Sequence, residues 1–159
     1  VRIRTVKKSK NLPRDVCRRA VAAWGEYLFG KRLAEHVSVT VHFDPRLIRT
    51  TTYATCEWGD EFPPRDFLIT VSPELSRRMT LFSIAHEMVH CRQYARLIWR
   101  PIDEKTVRWK NEIYPADTDL SVSKYWLSPW EIECRGYEEG LYRMFMIEER
   151  RRGRVRNIP

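Results

Sequence analysis

Apolar positions along this chain of 159 residues recur at two spacings, and the spacing changes several times. Val37, Val39, Val41 and Phe43 alternate with Ser38, Thr40 and His42, which predicts a half-buried strand stopped by Pro45. Asp66 to Val71 predicts another, and a strand is expected within residues 49–58, ahead of the Gly59-Asp60 turn. Elsewhere the repeat lengthens to three and four residues. Val16, Ala20, Ala23, Trp24 and Leu28 form a stripe that predicts a helix, opened by Pro13 and Asp15 and ended by Gly30. Ser72-Pro73-Glu74 has the form of an N-cap and an N1 proline, so a second helix is expected from there to about Trp99, with Pro101 ending it. Leu81, Ile84, Met88, Cys91 and Ala95 share one side of that helix. Thr106 to Trp109 and Glu112 to Tyr114 flank Lys110-Asn111 as the arms of a hairpin, and residues 115–128 read as irregular. Ser128-Pro129-Trp130-Glu131 opens a last helix to about Glu149. Residues 1–11 read as a basic arm and 150–159 as a basic tail. This order of elements belongs to the α+β class, and the length suits one domain over residues 1–159.

A hydrophobic content of 43% beside 31% charged residues describes a soluble globular chain. No apolar run approaches the roughly 18–20 residues of a membrane span, so no membrane contact is expected, and no secretory leader is visible at the start. Cys17, Cys56, Cys91 and Cys134 form no CxxC pair, which excludes a structural zinc knuckle and reads as free thiols in a reducing, cytoplasmic setting. The net charge of +8 concentrates in Arg150-Arg151-Arg152-Gly153-Arg154-Val155-Arg156. Two readings stand for that run: a contact to nucleic acid or another polyanion, or a solvated helix end whose cations complement the helix dipole.

Chemistry enters with His86-Glu87-Met88-Val89-His90. On a helix, residues four apart share a face, so both imidazoles can reach one metal ion while Glu87 stands beside it as a general base. A catalytic zinc takes three protein ligands and keeps one position open. No histidine follows His90, and Gln93 and Arg96 occupy the Gly and His positions of the longer HExxHxxGxxH pattern, so the third ligand is expected to be acidic. The start of the last helix offers Glu131 and Glu133, which point about 160° apart, so only one of them can serve.

HExxH followed by such a helix resembles the gluzincin and minigluzincin peptidases, in which a second helix supplies a glutamate three residues before a small residue. Glu131 stands in that relation to Cys134. Glu131-Ile132-Glu133-Cys134-Arg135-Gly136-Tyr137 is similar to the E-x-E-A-x-x-F-like string of the ImmA/IrrE kind. Cys134 replaces alanine there, and Arg135 replaces an Asn or Asp that orients the histidines. Over residues 66–145, HExxH, Val107-Arg108-Trp109-Lys110 and Pro129-Trp130-Glu131-Ile132-Glu133 together resemble small phage-associated or bacterial metallopeptidases. SprT-like proteases, neighbours of that group, expect a downstream histidine that this chain lacks.

The resemblance implies a zincin-like fold, in which a small twisted sheet packs on the HExxH helix and a C-terminal helix. It implies Zn²⁺ held by His86, His90 and Glu131, with Glu133 as the rival third ligand. The implied activity is hydrolysis of peptide or protein substrates by zinc-activated water, with Glu87 as general base. Tyr94, Tyr114, Tyr125 and Arg135 are the candidate oxyanion donors. Phe67 to Val71 takes the place of the strand along which a peptide lies in zincins, and Trp58, Phe62 and Trp126 are candidates to line the cleft. His36 and His42 are expected at the surface. Two further readings follow from other features. One is a nucleic-acid-associated protein, including a protease acting on DNA-bound proteins, which uses Lys7, Lys8, Lys10 and Arg150 to Arg156. The other is a non-catalytic zinc-containing phage protein. The expected location is the cytoplasm of a bacterial or phage-infected host cell.

Overall fold

The computed structural model describes residues 1–49, 52–116 and 121–155. The elements run β1 (Arg2–Val6), α1 (Arg14–Ala34), β2 (Ser38–Phe43), a 3₁₀ turn (Pro45–Arg49), β3 (Ala54–Trp58), β4 (Asp66–Val71), α2 (Arg77–Ala95), β5 (Trp99–Pro101), β6 (Thr106–Trp109), β7 (Glu112–Pro115), α3 (Val122–Trp126) and α4 (Pro129–Arg151). The class is α+β, as expected from the alternating and helical patterns. No helix among the described residues is long and apolar enough to cross a membrane.

A four-stranded sheet has the order β1-β2-β4-β3, with β1, β2 and β4 parallel and β3 antiparallel to β4. Val39, Val41 and Phe43 stand opposite Phe67, Ile69 and Val71, and all six are buried. The alternate residues, His42 among them, lie on the more accessible face. The buried face carries α1 and α2, and α4 packs on both helices. Trp24 anchors this layer: its indole Nε1 donates to the Leu141 carbonyl at 2.7 Å and its ring meets Phe145 edge-on. Buried Glu149 receives two hydrogen bonds from Arg19, at 3.0 and 2.8 Å, which ties the end of α4 to the start of α1. A smaller antiparallel sheet, β5-β6-β7, covers Trp130 with Val107 and Trp109. Its two-residue Lys110-Asn111 turn matches the expected hairpin, and Lys110 adopts φ 54° there.

Several expected boundaries change. Residues 1–11, read as a basic arm, are joined to the fold: Arg2 to Val6 pair in parallel with Ser38 to His42 and Lys10 N–H donates to the Pro73 carbonyl at 3.0 Å. Ile3 packs against the core between two exposed arginines, an alternation that a reading by net charge overlooks. Phe67 to Val71 is not an edge: β4 is paired on both sides, and β3 is the outer strand. Gly30, at φ 70°, kinks α1 instead of ending it, and the Phe29 carbonyl freed there accepts from Arg96 Nη2 at 2.6 Å.

The second helix starts four residues later than the Ser72-Pro73 signal. Asn11 Nδ2 donates to the Leu75 carbonyl at 2.9 Å, so this segment bonds to the N-terminal strand region and not to a first helical turn. Ser76 is the N-cap, its side chain accepting from the Met79 N–H. The helix ends before Trp99 because Leu97 turns to φ 55°. The Leu97 N–H bonds the Tyr94 carbonyl and the Ile98 N–H the Gln93 carbonyl, a Schellman closure that releases the chain into β5. Ser76→Ala is expected to lower stability by about 1 kcal/mol in urea unfolding, and Ser76→Asp to retain it, since Asp accepts the same hydrogen bond.

Candidate functional site

His86, Glu87 and His90 lie in the middle of α2, where nearly every side is covered. Leu81, Ile84, Ala85, Met88 and Cys91 are buried in the main core, which leaves the histidines aimed at the first turn of α4. There Ser128 precedes Pro129 at the helix start, and Glu131 points inward with 1% of its surface exposed. Glu131 Oε1 stands 3.1 Å from His90 Nε2, and Oε2 stands 3.2 Å from His86 Nε2. Oε2 is buried without an aligned hydrogen-bond partner, while Oε1 accepts from the Tyr125 hydroxyl at 2.7 Å. The Glu131 of the expected ligand set is thus brought onto both histidines.

Glu133 is not. Its Oε2 accepts from Arg92 Nη1 and Gln93 Nε2, both at 3.1 Å, on the other side of α4. The half-turn between the two glutamates sends one to the histidines and the other to the flank of α2.

The far nitrogens of both rings are occupied. Gln93 Nε2 donates to the Trp130 carbonyl at 3.0 Å and to Glu133, which turns its Oε1 towards His90 Nδ1 at 2.9 Å. His86 Nδ1 faces Glu138 Oε2 at 3.2 Å. With Nδ1 donating in each ring, Nε2 is the nitrogen left to face Glu131, as an N–H donor in protonated His86 and as the lone pair that a metal ion would use. Gln93 and Glu138 therefore take the orienting role expected of an Asn or Asp at position 135. Sequence reasoning missed both. Gln93 had one available signal, its place one turn after His90 on the same helix, whereas Glu138 reaches His86 only through the crossing of two helices.

His86, His90 and Cys134 also form a group whose donor atoms lie within 4.8 Å of one another and that could hold a metal ion. The Cys134 thiol, however, sits 3.5 Å from His90 Nδ1, the nitrogen that Gln93 already engages. Burial, and then the neighbouring carboxylates of Glu131, Glu87 and Glu133, push its pKa far up, so it stays a neutral thiol. Glu131 behaves oppositely. Burial alone would raise its pKa, but the two imidazoles outweigh that and hold it well below the usual carboxylate range. Of these two candidate third donors, Glu131 is the ionised one and the one that faces Nε2 of both histidines.

Glu87 is buried beside this group, and desolvation raises its pKa against the opposing pull of His90 and His86. It opens, with Glu131, onto a cleft of about 750 Å³. One wall is the stretch from Thr52 to Cys56, which includes the start of outer strand β3; Trp126 and Arg135 form another. Tyr94 and Tyr125 line the cleft too, whereas Tyr114 does not. Tyr114 lies on the hairpin, edge-on to Trp130, with its hydroxyl donating to Glu112 at 2.6 Å. Trp58 and Phe62 line a separate small hollow with Trp99 and Pro101. His36 is exposed and His42 is half-buried on the more accessible face of the sheet, and neither lines the cleft.

The basic segments lie elsewhere. Arg150 and Arg151 close α4, and Gly153 at φ 69° caps it, with the Arg154 N–H bonding the Glu149 carbonyl. Val155 packs against the core, so the described part of the tail is not a frayed end. Arg156 lies outside the described residues. Comparison with family models, with curated proteins and with solved structures gave no match to this chain.

Burial by itself would lower the His86 pKa, but the Glu131 and Glu138 carboxylates raise it from 6.5 to about 9 in the metal-free protein. The stabilisation from protonated His86 is complete below its unfolded value of 6.5 and is lost as pH rises through about 9. NMR titration should find the raised value, and Glu131→Gln should bring it down together with that part of the pH dependence of unfolding.

Proposed function

We propose that this protein is a zinc-dependent metallopeptidase with a zincin-like arrangement of sheet, HExxH helix and C-terminal helix. The observation that carries the reading is the convergence of both Nε2 atoms on one buried, ionised carboxylate while each Nδ1 is engaged behind. Donors about 2.1 Å from a tetrahedral ion stand roughly 3.4 Å apart, and the 3.1 and 3.2 Å separations at Glu131 are close to that spacing. The residues present therefore fit a zinc ion held by His86, His90 and Glu131. When bound, zinc acts as a Lewis acid that acidifies water and polarises a carbonyl.

The chain's own residues supply the rest. Glu87, desolvated at the cleft wall, takes the proton of the attacking water at its carboxylate and delivers it to the leaving amine. The outer edge of β3 holds an extended peptide backbone by strand addition, the part first assigned to Phe67 to Val71. Of the candidate oxyanion-donating tyrosines, Tyr94 and Tyr125 line the cleft, and Tyr125 steadies a developing oxyanion only by turning its hydroxyl away from Glu131. Four free thiols suit the reducing cytoplasm of a bacterial or phage-infected cell.

A second reading, contact with nucleic acid, rests on a separate observation. Arg14 Nε donates to the Lys7 carbonyl at 3.0 Å and Arg19 pairs with Glu149, so three basic stretches distant in sequence meet at one end of the molecule. Arg18, Arg150 and Arg151 are exposed there without an ion pair among the described residues. At 1.5 Å per residue, α4 puts this end roughly 27 Å from Glu131. Duplex DNA binding that weakens steeply with salt and disappears in Arg18→Glu/Arg150→Glu/Arg151→Glu would establish it. Absence of binding at low salt removes it.

For the metallopeptidase, mass spectrometry should find one zinc per chain in the wild type, Glu133→Ala and Cys134→Ala, and almost none in Glu131→Ala. Zinc kept in Glu131→Ala but lost in Cys134→Ala would move the third ligand to the thiol. Glu87→Gln should keep its zinc and lose peptide hydrolysis by about 10²–10⁴-fold.

A further inference from the structure

We propose that Arg135 is a carboxylate-binding subsite, so that the cleft takes acidic peptides. The inference rests on the metallopeptidase reading for its context and names the substrate class of that site. Arg135 follows Glu131 by one helical turn on α4 and lines the same cleft. It is the one Lys or Arg among the described residues that does so. Its guanidinium lies 4.3 Å from the centre of the Trp126 ring, itself 45% exposed at the rim.

Every acidic neighbour on α4 that could neutralise Arg135 is already engaged. Glu131 meets the histidines and Tyr125, and Glu138 meets His86. Glu139 pairs with Arg143, and Glu133 with Arg92. Arg135 has no ion pair among the described residues, although carboxylates stand at four nearby positions on its own helix. A cation held against an aromatic face keeps its rigid fork of N–H donors available, and that fork matches a carboxylate in two parallel hydrogen bonds. Structural arginines of this protein, such as Arg19 and Arg96, spend their donors on protein oxygens. Arg135 does not.

The ligand chemistry is a carboxylate close to the metal centre, from an Asp or Glu side chain or from a peptide C-terminus. The test uses a hexapeptide library, with free and amidated C-termini, and zinc-loaded Glu87→Gln protein, which binds without turnover. Retained peptides are identified by mass spectrometry. Expected is enrichment of Asp and Glu in both sets if side chains are read, or of the free-terminus set alone if the terminus is. Replacing the selected Glu by Gln, or amidating the selected terminus, should weaken binding about 10- to 100-fold. Arg135→Glu should turn the preference towards Lys, and Arg135→Gln should abolish it. Retention blind to charge, no retention, or an unchanged preference in Arg135→Glu overturns the proposal. A carboxylate preference in a protein whose zinc-loaded wild type cuts no peptide would leave the subsite standing and remove the peptidase reading.

Discussion

A carboxylate buried as deeply as Glu131 cannot remain ionised unless positive charge or hydrogen-bond donors reach it, because desolvation costs far more than packing returns. In this protein the compensation comes from two imidazoles on a different helix and a tyrosine hydroxyl on a third. The register between α2 and α4 is therefore set by the site as much as by the core. A shift of one residue in α4 would turn Glu131 by about 100°, leaving two histidines without their acceptor and a charge without a partner. The hydrogen bonds of Gln93 to the Trp130 carbonyl and to Glu133 hold the same crossing from behind.

Around that pair of helices the sheet supplies a floor and an outer strand. Parallel β1, β2 and β4 present one apolar face to α1 and α2, and antiparallel β3 ends the sheet beside the HExxH helix. Cys56 on β3 touches Cys91 on α2, their sulfurs 3.4 Å apart, so the cleft wall and the histidine helix are in direct contact. The small sheet then buries Trp130, the residue immediately before Glu131. Core packing on one side and the hairpin on the other thus restrict the one glutamate that the histidines need.

Much of the site was readable from local order. His86 and His90 share a face by helical spacing alone, and the Ser128-Pro129 start marks where α4 begins. Glu131 stood out only through a resemblance in pattern, since two glutamates two residues apart are equivalent until a neighbouring helix chooses between them. The orienting partners were hidden for the same reason: Glu138 meets His86 across 52 positions of chain. Where local signals failed, a distant group had taken the backbone. Ser72-Pro73 reads as a helix start, yet Asn11 and Lys10 bond the carbonyls of that segment. Phe67 to Val71 reads as a strand, but strand periodicity says nothing about which neighbour lies on each side, and β3 took the edge.

The amino-acid order by itself determined the elements whose signals lie within a turn or two: the alternating strands, the hairpin, the three long helices and the HExxH face. These depend on spacing along the backbone and survive any arrangement of the rest. Only the tertiary structure decided that Glu131 and not Glu133 meets the histidines, that β1 joins the sheet, and that Arg135 lines the cleft without an ion pair among the described residues. Each of those is a question of which side chains share a low-dielectric space, and that follows from how helices cross and strands stack, over distances that a one-dimensional pattern does not encode.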